Sequence, residues 1–249
     1  MKISRYYQAE PLKIGQLVEL SKENHRHAVQ VLRSEVGSPL VLFNGEGGEY
    51  IAHFVEIGKR HSRVKIEAYN ENSTESKLGI TLVLAMIKPE KMDFAIQKAT
   101  ELGVSKIQPI YTQRSVIKLK ANRLEKKMAH WQGVIISASE QSNRTRLAQI
   151  LAPLSVENWL EQASAYPLKI AMLPGDYPGL LALAESLPSA NDADQLALLI
   201  GPEGGFTDNE EQLMLQNNVT PVSFGPRILR AETAAIAGIT ACQLCWGDV

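Results

Sequence analysis

No apolar stretch in this chain of 249 residues reaches the length of a membrane span. The amino-terminal Met1–Glu10 is polar and aromatic and lacks the hydrophobic segment of a secretory leader, so a cytoplasmic location is the default expectation. There is no Gly-x-x-x-x-Gly-Lys-Ser/Thr loop, which argues against a nucleotide-phosphate enzyme of the P-loop kind. The five histidines show no metal-ligand spacing, so no metal is expected. His25 and His27 flank Arg26 in a polar, helix-like stretch and read as solvated or polyanion-facing rather than as metal ligands. Only two cysteines occur, Cys242 and Cys245, late in a helical pattern. A redox pair would sit beside a strand at a helix start, so these read as small core residues one turn apart. Basic residues are scarce beyond position 150: residues 151–249 hold 3 Lys+Arg against 12 Asp+Glu, while residues 1–150 hold 23 against 15. The net charge of −1 hides this split, which points to a polyanion meeting one part of the chain.

What is present suits a soluble protein with an ordinary apolar content and room for one large or two modest domains. Leu17–Leu20, Leu40–Asn44, Glu49–Val55 and Ser62–Glu67 are short β-prone runs broken by turn residues, which predicts a small β domain. Asn44-Gly45-Glu46-Gly47-Gly48 reads as a hairpin turn, because no helix follows it. Asn24–Leu32 predicts a helix with Ala28, Val29 and Leu32 inward and Arg26, His27, Gln30 and Arg33 outward. The polar stretch Tyr69–Lys77 marks a domain boundary, giving domains 1–70 and 71–249. Leu78–Ile87, a helix from Pro89 to Leu102 and Val104–Tyr111 then form a βαβ unit. Asn122–Gln141 is an amphipathic helix with Leu124, Met128, Trp131, Ile135 and Ala138 on one face. The polar run Ser139–Arg146 reads either as a capping loop or as a substrate contact. Leu168–Leu173 is a buried strand ended by Pro174-Gly175-Asp176, followed by a short helix Leu180–Leu187 and a polar connection Pro188–Asp194.

The densest information lies in Leu196–Gln243, where two strand–turn–helix units follow each other. Leu196–Ile200 leads into Gly201-Pro202-Glu203-Gly204-Gly205, and Thr207-Asp208-Asn209-Glu210 has the form of a capping box. Val219–Phe224 leads into Gly225-Pro226-Arg227-Ile228-Leu229-Arg230 and a helix of small apolar residues. Such units predict an α/β fold with a parallel sheet and ligand-binding loops at the strands' carboxyl ends. Glycine corners that leave main-chain N–H groups uncovered can hold a polar ligand. Arg227, Arg230 and Glu232 at the mouth of a buried helix need partners, either a ligand or one another.

Leu199–Phe206 (Leu-Ile-Gly-Pro-Glu-Gly-Gly-Phe) and Phe224–Ala235 (Phe-Gly-Pro-Arg-Ile-Leu-Arg-Ala-Glu-Thr-Ala-Ala) resemble the RsmE family. Ile87–Asp93, Gln97–Val104 and Glu140-Gln141-x-x-Arg144 are similar to it as well. The resemblance implies a SPOUT-type methyltransferase domain with a deep carboxyl-terminal trefoil knot, preceded by a small PUA-like β-barrel that grips RNA. No feature of periodicity or spacing points to a knot, which rests on the resemblance alone. The implied reaction is S-adenosylmethionine-dependent methylation of uridine N3 in 16S ribosomal RNA, in the decoding region near the 3′ end and within the 30S subunit. A homodimer is implied too. By the same resemblance, cofactor contacts fall on Leu173, Pro174, Ile200, Gly201, Pro202, Glu203, Gly204, Phe224, Gly225, Ile228, Leu229, Arg230, Thr233 and Ala234. Arg5, Arg26, Arg33, Lys88, Lys91, Arg114, Arg144 and Arg146 are the candidate RNA contacts. Arg230, Glu232 and Glu203 are the catalytic candidates, with Glu140 a further carboxylate and Glu232 alternatively only orienting Arg230. An RNA-binding assembly module without catalysis is the competing reading, but it leaves Arg230 and Glu232 beside two glycine turns unexplained.

Overall fold

The computed structural model describes residues 3–115, 117, 121–186 and 195–249. The expected connection Pro188–Asp194 and residues Val116 and Leu187 lie outside them. The chain forms two compact units, one of Met1–Glu75 with Ser139–Leu147 and one of Ser76–Ala138 with Ala148–Val249.

The first unit holds β1 (Ser4–Tyr7), β2 (Leu17–Glu19), β3 (Pro39–Phe43), β4 (Glu49–Ile57) and β5 (Ser62–Asn70) in one sheet of order β1-β3-β4-β5-β2. In β5, Ser62, Val64 and Ile66 are buried while Arg63, Lys65 and Glu67 are exposed, the period of two that a sheet with one covered face requires. Leu40, Leu42, Phe54 and Val64 form the core with Tyr6, Leu12 and Ala28. Asn44–Gly48 is the turn between antiparallel β3 and β4, and Gly45, Gly47 and Gly48 take positive φ there. β1 has no alternating signal of its own. It exists through parallel pairing with β3, about forty residues away in sequence, as in Ser4 opposite Leu40.

Two expectations need correction here. The helix expected over Asn24–Leu32 is α1 (Lys22–Arg26) continued by a π turn (His27–Val31). The Leu32 N–H reaches the His27 carbonyl five residues back, so one extra residue enters the turn and the pattern slips. Leu32 is consequently exposed, not inward. His25 is buried rather than solvated, with Nδ1 2.7 Å from Ser62 Oγ.

The segment Ser139–Leu147 is held into this unit by carboxylates. Glu140 accepts the Tyr7 N–H at 2.9 Å. Glu75 accepts from Arg144 Nε and Nη2 at 3.0 and 2.7 Å, and from the Thr145 and Arg146 N–H groups at 2.9 Å each. Arg5 pairs with Glu49, donates to the Arg144 carbonyl at 2.8 Å and lies over the Phe43 ring.

The second unit is built on a wholly parallel sheet. Its strands are β6 (Gly79–Ala85), β7 (Lys106–Tyr111), β8 (Gln149–Ile150), β9 (Leu154–Ser155), β10 (Leu168–Met172), β11 (Gln195–Ile200) and β12 (Thr220–Val222). The order is β12-β10-β11-β6-β7-β8, with β9 also paired to β7. Central β6 and β11 are continuous apolar runs buried along nearly their whole length, as strands covered on both faces must be. Helices α2 (Pro89–Glu101), α3 (Ala121–Ser142), α4 (Val156–Gln162), α5 (Leu180–Ser186), α6 (Asp208–Gln216) and α7 (Ala231–Trp246) complete the chain. Pro89 occupies the first turn of α2, where its missing N–H costs nothing.

After β12 at the sheet edge, α7 packs on α2, α5, β6 and β11. Gly238 permits that approach, because a Cβ there would lie 3.0 Å from Leu198 Cδ2 and would also meet Met172 Sδ. Gly238→Val is therefore expected to destabilise the protein by about 1–3 kcal/mol through overpacking, more than the helix propensity it gains. A lowered midpoint in chemical denaturation checks this. Cys242 is buried in the same interface, and burial pushes its thiol up to about 12, which keeps it protonated and inert as a core residue. The buried Gln243 is satisfied by the Leu102 carbonyl and by Ser76 Oγ, both at 2.9 Å.

Candidate functional site

Three loops at the carboxyl ends of adjacent parallel strands β10, β11 and β12 enclose a cavity of about 360 Å³. The first contributes Leu173 and Pro174. The second contributes Ile200, Gly201, Pro202, Glu203 and Gly204, and the third Phe224, Gly225, Ile228 and Leu229, with Ala234 from α7. Of the residues expected to meet a cofactor, Arg230 and Thr233 alone do not line it.

Local chemistry shapes the second loop. The Gly205 N–H closes a turn onto the Pro202 carbonyl at 2.9 Å, with Gly205 at φ +69°. Thr207 and Glu210 form the expected reciprocal cap on α6. The Glu210 carboxylate does more than cap, since its other oxygen accepts the Gln113 N–H at 2.8 Å from the loop after β7. That loop also supplies Arg114, whose Nη1 donates to the Gly204 and Phe206 carbonyls at 3.0 and 2.9 Å. Arg114 thus lines the cavity and tethers its wall. Main chain comes close at this wall: a Cβ on Gly201 would lie 3.0 Å from the Phe206 ring, and one on Gly204 would lie 3.3 Å from Arg114 Cβ.

The third loop turns at Gly225, φ +77°, and leaves Phe224 and Ile228 exposed at the cavity. Apolar side chains in that position offer a surface for a flat ring. Acidic groups also line the cavity. Asp208 and Glu211, in the first turn of α6, line the cavity with Glu203. Burial pushes the Glu211 carboxyl up, Asp208 and Glu210 add to this, and Arg114 opposes it. Sequence reasoning missed Asp208 and Glu211 because charged first-turn residues read as helix caps and solvent-facing groups. Their three-residue spacing, which places both on one side of α6, was the available signal.

Arg227 and Arg230 are exposed and make no ion pair among the described residues. Arg230 is the N-cap of α7, with no side-chain cap bond. Glu232 points elsewhere, its buried carboxylate accepting Lys91 Nζ of α2 at 2.7 Å. The helix entrance is therefore closed by a Lys–Glu pair and not by an arginine. Burial pushes the Glu232 carboxyl up, but Lys91, a main-chain N–H and Arg230 outweigh it and hold the group below the usual carboxylate range.

Among the expected RNA contacts, Arg26, Arg33, Lys88, Arg114 and Arg146 are exposed, whereas Arg5 and Arg144 turn inward to Glu49 and Glu75. In the first unit Arg146 lies against the glycine turn, where a Cβ on Gly47 would come within 3.1 Å of its Nη2. The basic excess also has a narrower location than the halves suggest. Residues 1–75 hold 10 basic and 10 acidic side chains, and residues 76–150 hold 13 and 5. Among the described residues no group of three or more His, Cys, Asp or Glu is placed to hold a metal ion, and no helix is long and apolar enough to cross a membrane.

Residues 74–243 match the family model of an RNA methyltransferase domain, and residues 20–67 that of an RNA methyltransferase PUA domain. A Rickettsia conorii protein named ribosomal RNA small subunit methyltransferase E is 35% identical over 98% of this chain and 96% of its own length. A solved enzyme of that name from Neisseria gonorrhoeae, bound to S-adenosyl methionine, is 33% identical with a TM-score of 0.90 over 99% of both chains. A Legionella pneumophila structure holding SAM as its bound cofactor is 36% identical, with a TM-score of 0.93 over 100% of both chains.

Proposed function

Because this chain belongs to the RsmE family of RNA methyltransferases, we propose that it methylates N3 of a uridine in 16S ribosomal RNA, in the decoding region near the 3′ end. The observation that carries this reading is the cavity walled by three strand-end loops. Its chemistry fits S-adenosylmethionine: Phe224, Ile228 and Leu173 offer apolar faces for the adenine, and loop main chain offers polar groups. Glu203, Asp208 and Glu211 complement the cofactor's positive charges. When bound, the cofactor supplies an electrophilic methyl group.

The rest of the task belongs to this chain's side chains. N3 carries a proton on the pairing edge of uracil, so the base is presented unpaired and the proton leaves. Arg230 stabilises the charge that develops on the uracil oxygens, since a guanidinium stays charged and is a donor only. Glu203 takes the N3 proton. It lines the cavity, while Glu232 is committed to Lys91 and Glu140 to Tyr7. Arg114 sets the shape of the cofactor loop. Arg114→Ala removes both of its carbonyl contacts and is expected to weaken cofactor binding by about tenfold, the worth of one charge-assisted hydrogen bond, as read by calorimetry.

RNA is gripped by the PUA-like domain 1–70 and by exposed basic groups of the methyltransferase domain 71–249, within the assembled 30S subunit in the cytoplasm. A trefoil knot belongs to this reading through the family resemblance alone. A homodimer is supported by the uncovered side of α7, where Leu244 is 61% exposed and Ile236 and Ala237 are half-buried. Mass mapping of ribosomal RNA from cells lacking this protein tests the whole reading. A single missing methyl on a uridine ring of 16S RNA is expected, and an unchanged methylation pattern would overturn it.

A further inference from the structure

We infer that Lys91 is a positioning residue for methyl transfer, which neutralises Glu232 so that the Arg230 guanidinium stays available to the substrate. The inference rests on the assignment of Arg230 above and concerns what keeps that arginine free. Glu232 sits in the first turn of α7, two residues from Arg230, with its side chain only 7% exposed. A carboxylate so buried must be matched by a cation. Two cations reach it: Lys91 by direct contact at 2.7 Å, and Arg230 through space. Lys91 comes from a different helix, α2, so the pair also ties α2 to the entrance of α7.

The geometry divides the labour. Ala231 and Ala234 turn toward the cavity, while Glu232, a third of a turn further round α7, faces α2 and does not line it. With Lys91 in place the local charge of Glu232 is spent, and Arg230 has no ion pair among the described residues. Without Lys91, the buried carboxylate has Arg230 as its remaining neighbour of opposite charge. A guanidinium held by an internal carboxylate cannot stabilise an oxygen that gains charge in the transition state. The same pairing explains why a buried glutamate is tolerated at a catalytic helix entrance.

The test compares Lys91→Met, Glu232→Gln, the double variant and Arg230→Ala in single-turnover methylation of small ribosomal subunits from cells lacking the protein. Calorimetry with S-adenosylmethionine runs alongside. Lys91→Met is expected to slow methyl transfer about tenfold with cofactor affinity unchanged, a coupling of ordinary size for one charge pair. Adding Glu232→Gln removes the stranded carboxylate and is expected to restore the rate to within about threefold of wild type. Denaturant midpoints of the same variants separate this from a merely structural Lys91, for which the rate would fall and recover only in step with stability. If Lys91→Met does not fold, Lys91→Gln keeps a hydrogen-bonding group without the charge and carries the same comparison. An unchanged rate in Lys91→Met, or a double variant as slow as Lys91→Met, overturns the inference. Glu232→Gln alone as slow as Arg230→Ala also overturns it, because Glu232 would then take part directly. If Arg230→Ala itself retains the wild-type rate, the assignment of Arg230 falls, and the role given to Lys91 falls with it.

Discussion

Arg230→Ala is expected to lower the single-turnover rate of methyl transfer by about a hundredfold, the loss for one preorganised donor at developing negative charge. Cofactor affinity, read by calorimetry, is expected to stay within a few fold, because Arg230 does not line the cavity. Folding is expected to be preserved as well. The residue's contribution to α7 is its main-chain carbonyl, which accepts the Ala234 N–H at 2.8 Å and survives the substitution. Its side chain makes no cap bond that alanine would lose. Arg230→Lys returns the charge without the planar fork and is expected to recover only part of the rate. A rate equal to wild type in Arg230→Ala would remove this residue from the reaction.

Glu75→Ala is expected to cost about 3 kcal/mol or more in denaturant titration of the full chain. One carboxylate there collects two guanidinium bonds from Arg144 and two main-chain N–H groups, from Thr145 and Arg146. Arg144 is only 5% exposed at its side chain, so its charge loses a matched partner in a poorly solvated place. Glu75→Gln keeps one carbonyl acceptor but not the charge, and should fall between wild type and alanine. A loss below about 1 kcal/mol, typical of an exposed pair, would show that this cluster does not anchor residues 139–147 to the first unit.

The glycine corners were legible because everything that makes them is local. An apolar run buried on both faces, residues with special φ angles and a reciprocal Thr207–Glu210 cap all lie within a dozen positions. Twelve of the fourteen expected cofactor contacts accordingly line one cavity. The basic residues were not legible in the same way. Arg5, Arg144 and Lys91 look in sequence like Arg26 or Lys88, as charged side chains that default to solvent or a polyanion. Each instead meets a carboxylate brought from elsewhere in the chain: Glu49, Glu75 and Glu232. The π turn at His27–Val31 is a failure of another kind, since one inserted residue turns Leu32 out of the core while Ala28 stays buried.

By itself, then, the amino-acid order determined the longer strands, their corners and the family, because backbone preference and hydrophobic period act over a few neighbouring residues. Only the folded arrangement decided which cations are spent internally and which stay exposed. The Arg5–Glu49, Arg144–Glu75 and Lys91–Glu232 pairs join positions 44 to 141 residues apart in the chain, and a buried carboxylate takes whichever cation the packing of helices and strands brings to it.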